Sequence, residues 1–145
     1  MMGFSEKQDN WHRRYLRIAN EYAAESKDPK FKVGALIVTP DDVLYPGYNG
    51  DERGGSNTRD SMDTGGSGFI HGEINALIKF NPSLHKGSVM YITYNPCIVC
   101  ARAIINTRSI DAVFYDKEYS GDMRGVDLLR KRGIVCRRLE VSEDA

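Results

Sequence analysis

Residues Ser88–Tyr115, SVMYITYNPCIVCARAIINTRSIDAVFY, decide the fold. Ser88–Thr93 is a short apolar run rich in β-branched and aromatic residues, which predicts a buried strand. Cys97–Asn106 then predicts a helix, and Ile110–Tyr115 a second buried strand. A strand, a covering helix and another strand make a right-handed crossover, the unit of a parallel sheet. Upstream, Val33–Thr39 and Val43–Tyr48 flank the Pro40-Asp41-Asp42 turn and predict a hairpin. His71–Phe80 predicts a helix between the hairpin and the crossover. At the near end, Trp11, Tyr15, Ile18 and Tyr22 recur at helical spacing. That first helix stops at Ser26-Lys27-Asp28-Pro29, because a residue before proline is pushed out of the helical region. Val126–Arg132 predicts a last helix, Gly133 a stop, and Ile134–Leu139 a last strand. The sum is an α/β fold: a three-layer α/β/α sandwich of about five strands in a mixed sheet, with helices on both faces.

The 145 residues and 41% hydrophobic content suit one domain, residues 1–145, with one sizeable core. Half of its 14 glycines fall in Gly47–Gly68, GYNGDERGGSNTRDSMDTGGSG, which predicts a long glycine-rich, mobile loop at about 50–69. Twenty basic and twenty acidic side chains cancel. That balance argues against a nucleic-acid or membrane partner. No apolar run approaches the roughly 20 residues of a bilayer crossing, and MMGFSEKQDNWHRRY has no apolar signal core. Three cysteines do not make a disulfide framework. A reducing, cytoplasmic location is expected.

Two motifs carry chemistry: His71-Gly72-Glu73 and Pro96-Cys97-Ile98-Val99-Cys100, each at the start of an expected helix. Neutral imidazole and thiolates are zinc ligands, and three protein ligands with one open position is the catalytic arrangement. His71, Cys97 and Cys100 supply three, and a helix amino terminus favours ionised thiols. Glu73 is read as a proton shuttle and not as a ligand. A lone Cys-x-x-Cys could equally be a structural half-site or a redox pair. Joined to His-x-Glu in this order it is the zinc-deaminase signature. Cys136 reads as core, and His12 and His85 lie in no ligand-like context, so one zinc per chain is expected.

With these motifs in view, the chain from about Ser26 to Leu139 resembles the cytidine deaminase superfamily, and most closely its dCMP deaminases, possibly of viral type. The resemblance also runs through Ser26-Lys27-Asp28-Pro29, Val33-Gly34-Ala35, Gly47-Tyr48-Asn49-Gly50, Glu73-Ile74-Asn75-Ala76 and Thr93-Tyr94-Asn95-Pro96-Cys97. It implies zinc-dependent hydrolysis of dCMP to dUMP and ammonia, in the host cytoplasm if the source is viral. It implies Asn49 on the sugar, Lys27 near the phosphate, Val33, Gly34 and Ala35 as a wall of the base pocket, and Tyr94 among the substrate contacts. Arg53, with Lys30 and Arg59, is a further phosphate candidate from its position along the chain. The family further implies a homo-oligomer, a hexamer being favoured, and dCTP and dTTP as effectors. Two departures stand out: Gly72 replaces the usual alanine, and Asp51-Glu52-Arg53-Gly54-Gly55 follows the GYNG piece. The alternatives are another cytosine substrate (a 5-substituted dCMP, dCTP, a free nucleoside or a base in nucleic acid) or an inactive zinc-binding module.

Overall fold

The computed structural model describes residues 5–141. Ser5 opens helix α1 (Glu6–Ala23) with a capping box: its hydroxyl accepts from the Gln8 N–H while the Gln8 side chain reaches back to the Ser5 N–H. Strands β1 (Gly34–Val38) and β2 (Leu44–Tyr48) follow, then helix α2 (Gly72–Lys79), strand β3 (Ser88–Tyr94) and helix α3 (Ile98–Thr107). Strand β4 (Ile110–Lys117), helix α4 (Arg124–Lys131) and strand β5 (Val135–Arg138) complete the order. Every element expected from the sequence is present, with ends shifted by a residue or two.

The five strands form one sheet in the order β2-β1-β3-β4-β5. β1 runs antiparallel to both β2 and β3, while β3, β4 and β5 are parallel. Side chains alternate between the two faces along each strand. Ala35 and Ile37 of β1 join Met90, Ile92 and Val113 on the face covered by α2, α3 and α4, through Ala76, Ala101, Ile104, Val126 and Leu129. Leu36 and Val38 point to the opposite face with Tyr91 and Phe114, where α1 lays down Leu16 and Ala19. The mixed three-layer sandwich is therefore as the sequence predicts, with one helix on one face and three on the other.

Gly34 sets how closely α1 approaches. A Cβ there would lie 2.0 Å from the Ala19 carbonyl oxygen and 2.7 Å from the Ala23 nitrogen, so only glycine lets this strand meet the helix backbone. At the sheet edge, Pro46 of β2 sits opposite Leu36, and its carbonyl oxygen accepts from Lys79 Nζ at 2.7 Å. Among the described residues, no helix is long and apolar enough to cross a membrane. The parallel crossovers bring the carboxyl end of β3 beside the amino ends of α2 and α3, where ligands of α/β sheets characteristically bind.

Candidate active site

His71 caps α2 and Cys97 caps α3, both with extended backbone. Pro96 therefore precedes the cap rather than opening the helix. Cys97 Sγ accepts from the Cys100 N–H at 3.4 Å, a capping bond that turns both sulfurs toward one point. His71 Nδ1 lies 3.2 Å from Cys100 Sγ and 3.5 Å from Cys97 Sγ. All three donor atoms fall within 4.8 Å of one another, and they could hold one metal ion. Ordinary Zn–S and Zn–N bonds at tetrahedral angles separate neighbouring donors by about 3.5–3.8 Å, so this set needs little adjustment to take zinc.

The protonation chemistry agrees with a cation site. The Cys97 thiol is pulled down to about 4, first by its hydrogen bond with Cys100 and then, against burial, by that with His71. Cys100 is pushed up, because it holds the proton its neighbour gives away and is itself buried. His71 is raised, chiefly by its contact with Cys97. Glu73 lies in the first turn of α2, 5% exposed, and burial raises its carboxyl above the usual range.

His71, Glu73 and Cys97 line a cleft of about 400 Å³, the size of a small-molecule site, with Cys100 buried behind them. Its wall includes Val33, Asn49 and Tyr94 of the residues expected from sequence. Asn49 is 8% exposed and well bonded: Oδ1 accepts from the Val33 N–H at 2.8 Å, while Nδ2 donates to the Phe31 carbonyl and to Asp28. Lys27, Gly34, Ala35 and Arg53 are not among the residues lining this cleft. Lys27 and Arg53 are exposed, because their polar heads stay in water. Gly34 is spent on the contact with α1, and Ala35 is buried in the core beneath α2.

The loop following the GYNG piece is closed by a bridge between Gly50 and Ile70. It presents Arg59 to the cleft rather than Arg53, and Lys30 Nζ is taken up by the Met62 carbonyl. Sequence reasoning missed an aromatic corner in which Phe31 meets Tyr119 at 4.4 Å and Tyr94 at 5.2 Å, both edge-on. Phe31 follows the Ser26–Pro29 piece by two positions, and that proximity was the one available signal. Tyr119 lies in an irregular connection and gave none. Gly72, the departure noted above, sits where a Cβ would be 3.1 Å from the Val33 oxygen. The site is tight at the very position where the family carries alanine.

A family model described as the cytidine and deoxycytidylate deaminase zinc-binding region matches residues 9–117. The chain belongs to the cytidine and deoxycytidylate deaminase family. ComE operon protein 2 of Bacillus subtilis is 29% identical over 141 residues, covering 92% of this chain and 74% of that one. The human deoxycytidylate deaminase is 31% identical over 118 residues, covering 75% of this chain and 66% of that relative. Among solved structures, the dCMP deaminase of cyanophage S-TIM5 in complex with dCMP and dUMP is 25% identical, with a TM-score of 0.77. It covers 94% of this chain and the whole of its own. Within this family of zinc-binding deaminases, the residues able to take the metal here are the three brought together at the ends of α2 and α3.

Proposed function

We propose that this protein is a zinc-dependent hydrolase that converts dCMP to dUMP and ammonia. The observation that carries it is the adjacency of three metal-competent donors to a buried carboxylate at the inner end of a nucleotide-sized cleft. The likeness to a dCMP deaminase holding dCMP and dUMP supports the choice of substrate.

His71, Cys97 and Cys100 would hold the zinc, and the ion would supply Lewis acidity near neutral pH. Glu73 takes the proton from water and delivers it to N3 of the cytosine ring as the C4–O bond forms. The same carboxylate then takes the proton of the new C4 hydroxyl and passes it to the amine, so the C4–N bond breaks, C4=O forms and ammonia leaves. Val33 and Asn49 border the ring and sugar, and Tyr94 with Phe31 and Tyr119 closes the cleft by apolar contact. The chain works as one domain, residues 1–145, in a homo-oligomer for which a hexamer is favoured, in the cytoplasm, with dCTP and dTTP as candidate effectors.

Ammonia release from dCMP, dCTP, deoxycytidine and a cytosine oligonucleotide, compared on zinc-loaded protein, tests this function. The expected kcat/KM for dCMP exceeds that for deoxycytidine by at least ~100-fold, the worth of about two charge-assisted hydrogen bonds. Equal values for the two would remove the nucleotide substrate and leave a broader deaminase.

A further inference from the structure

A buried ion pair lies in the cleft wall, and the mechanism above does not use it. The side chains of Arg59 and Asp28 are 6% and 2% exposed. Arg59 Nη1 donates to both Asp28 carboxylate oxygens, at 2.7 and 2.8 Å. Its Nε donates to the Ser61 carbonyl and its Nη2 to the Asp63 carbonyl, so the guanidinium is committed to its own loop. Asp28 also accepts from the Lys30 N–H at 2.8 Å and from Asn49 Nδ2 at 3.2 Å. The last bond joins those with the Val33 N–H and the Phe31 carbonyl that set which way the Asn49 amide faces. A Cβ at Gly72, between the two motif residues His71 and Glu73, would lie 3.4 Å from the Asn49 nitrogen. A residue of the glycine-rich loop is thus joined, contact by contact, to the wall beside the metal-competent cluster.

A carboxylate alone in this wall would set a negative charge against any anionic ligand. The guanidinium cancels it through Nη1, and with each of its three nitrogens already donating within the protein it is no free phosphate clamp. We propose that Arg59 is a specificity-determining positioning residue: by cancelling Asp28 beside the Asn49 amide, it leaves this stretch of the wall neutral, so that a nucleoside monophosphate enters without repulsion from it. The proposal deepens the nucleotide function above and rests on it. A pair that merely stapled the loop would affect stability alone.

Opposite signs separate these two roles. Arg59→Gln leaves Asp28 uncompensated, and the ratio of kcat/KM for dCMP over deoxycytidine falls by about tenfold or more, the scale of a like charge set near the ligand. Asp28→Asn leaves the guanidinium in excess, and the same ratio rises. The double variant D28N/R59Q, neutral again, returns the ratio to within about threefold of the parent, as expected for coupled neighbours. Affinities of zinc-loaded protein for dUMP and deoxyuridine, read by calorimetry, give the same ratio without turnover. Absent ammonia release from dCMP would reject the catalytic function, and the two affinities would still decide the role of Arg59. Single variants that shift the ratio in the same direction or leave it unmoved overturn the proposal, as does a double variant that fails to restore it. If Arg59→Gln does not fold, the sign shown by Asp28→Asn and the return in the double variant decide.

Discussion

Replacing Gly34 by alanine separates two roles for one residue, a wall of the substrate cleft or a wedge beneath α1. The added Cβ would sit 2.0 Å from the Ala19 carbonyl oxygen and 2.7 Å from the Ala23 nitrogen. Both atoms are helix backbone, so no side chain can rotate away. Either α1 lifts from the sheet, opening the cluster of Leu16, Ala19, Leu36 and Phe114, or β1 bends away from β3. Overpacking a filled core costs about 1–3 kcal/mol, and a clash this close to fixed backbone belongs at the upper end. For 145 residues the unfolding entropy is about 0.3 kcal/mol/K, so a loss of about 3 kcal/mol lowers Tm by about 10 °C. Gly50→Ala is the control, since nothing lies within 4 Å of a Cβ there. It should melt within about 2 °C of the parent, as surface changes do. Unfolding of zinc-loaded protein is followed by circular dichroism and by the fluorescence of Trp11, the sole tryptophan and part of α1. A Gly34→Ala protein that melts with the parent yet shows a raised KM would refute the wedge and restore Gly34 to the cleft.

Cys97→Ala and Cys100→Ala should each lose the metal, read as zinc per chain by atomic emission, and should melt lower because the ligands tie α2 to α3. Full zinc content in either variant would show that the ligand set is different. Glu73→Gln should keep one zinc per chain while turnover drops by about 10²–10⁴-fold or more, since one carboxyl serves several proton transfers. Near-parental ammonia release from that metal-replete protein would remove Glu73 from the chemistry. The fourth concerns acid stability. Burial raises the Asp28 carboxyl, but the N–H groups of Lys30 and Phe31 and the Arg59 guanidinium outweigh it and hold it below the ordinary range. A group depressed in the folded state stabilises fully above its unfolded value, about pH 4, and loses that contribution as pH falls through the folded one. Urea titrations across that window should show a decline that is shallower in D28N/R59Q, and identical slopes would contradict the assignment.

The sequence carried the fold because each element announces itself by period and punctuation. Ser88–Tyr94 and Ile110–Lys117 are apolar runs buried on both faces, and Gly133, at positive φ, follows the end of α4, whereas α1 already stops at Ala23, ahead of Ser26–Pro29. The metal-competent set was legible for a related reason: a three-residue step on a capped helix fixes two sulfurs, and His71 stands at a second helix end. The cleft wall was not, since its residues come from connections whose path depends on long-range bonds. Arg53 and Arg59 look alike along the chain, and only the 2.7 Å contact with Asp28 distinguishes them. Gly34 and Ala35 lie next to Val33, but alternation along the strand sends their contacts to α1 and to the core while Val33 alone reaches the cleft.

Pro46 has a consequence for how these molecules can meet. An outermost strand offers a row of unused amide groups on which a foreign strand can dock, the first step toward fibrillar association. On β2 one such amide hydrogen is missing, because proline has none, and the matching carbonyl is occupied by Lys79 Nζ. Both the donor and the acceptor of Pro46 are thereby lost to a docking strand, in a segment of five residues. The sheet cannot be lengthened in register at that border, and Leu44 and Tyr48 stand half in solvent there without nucleating growth. At Pro46, then, the border of the sheet discourages extension of the ladder across β2.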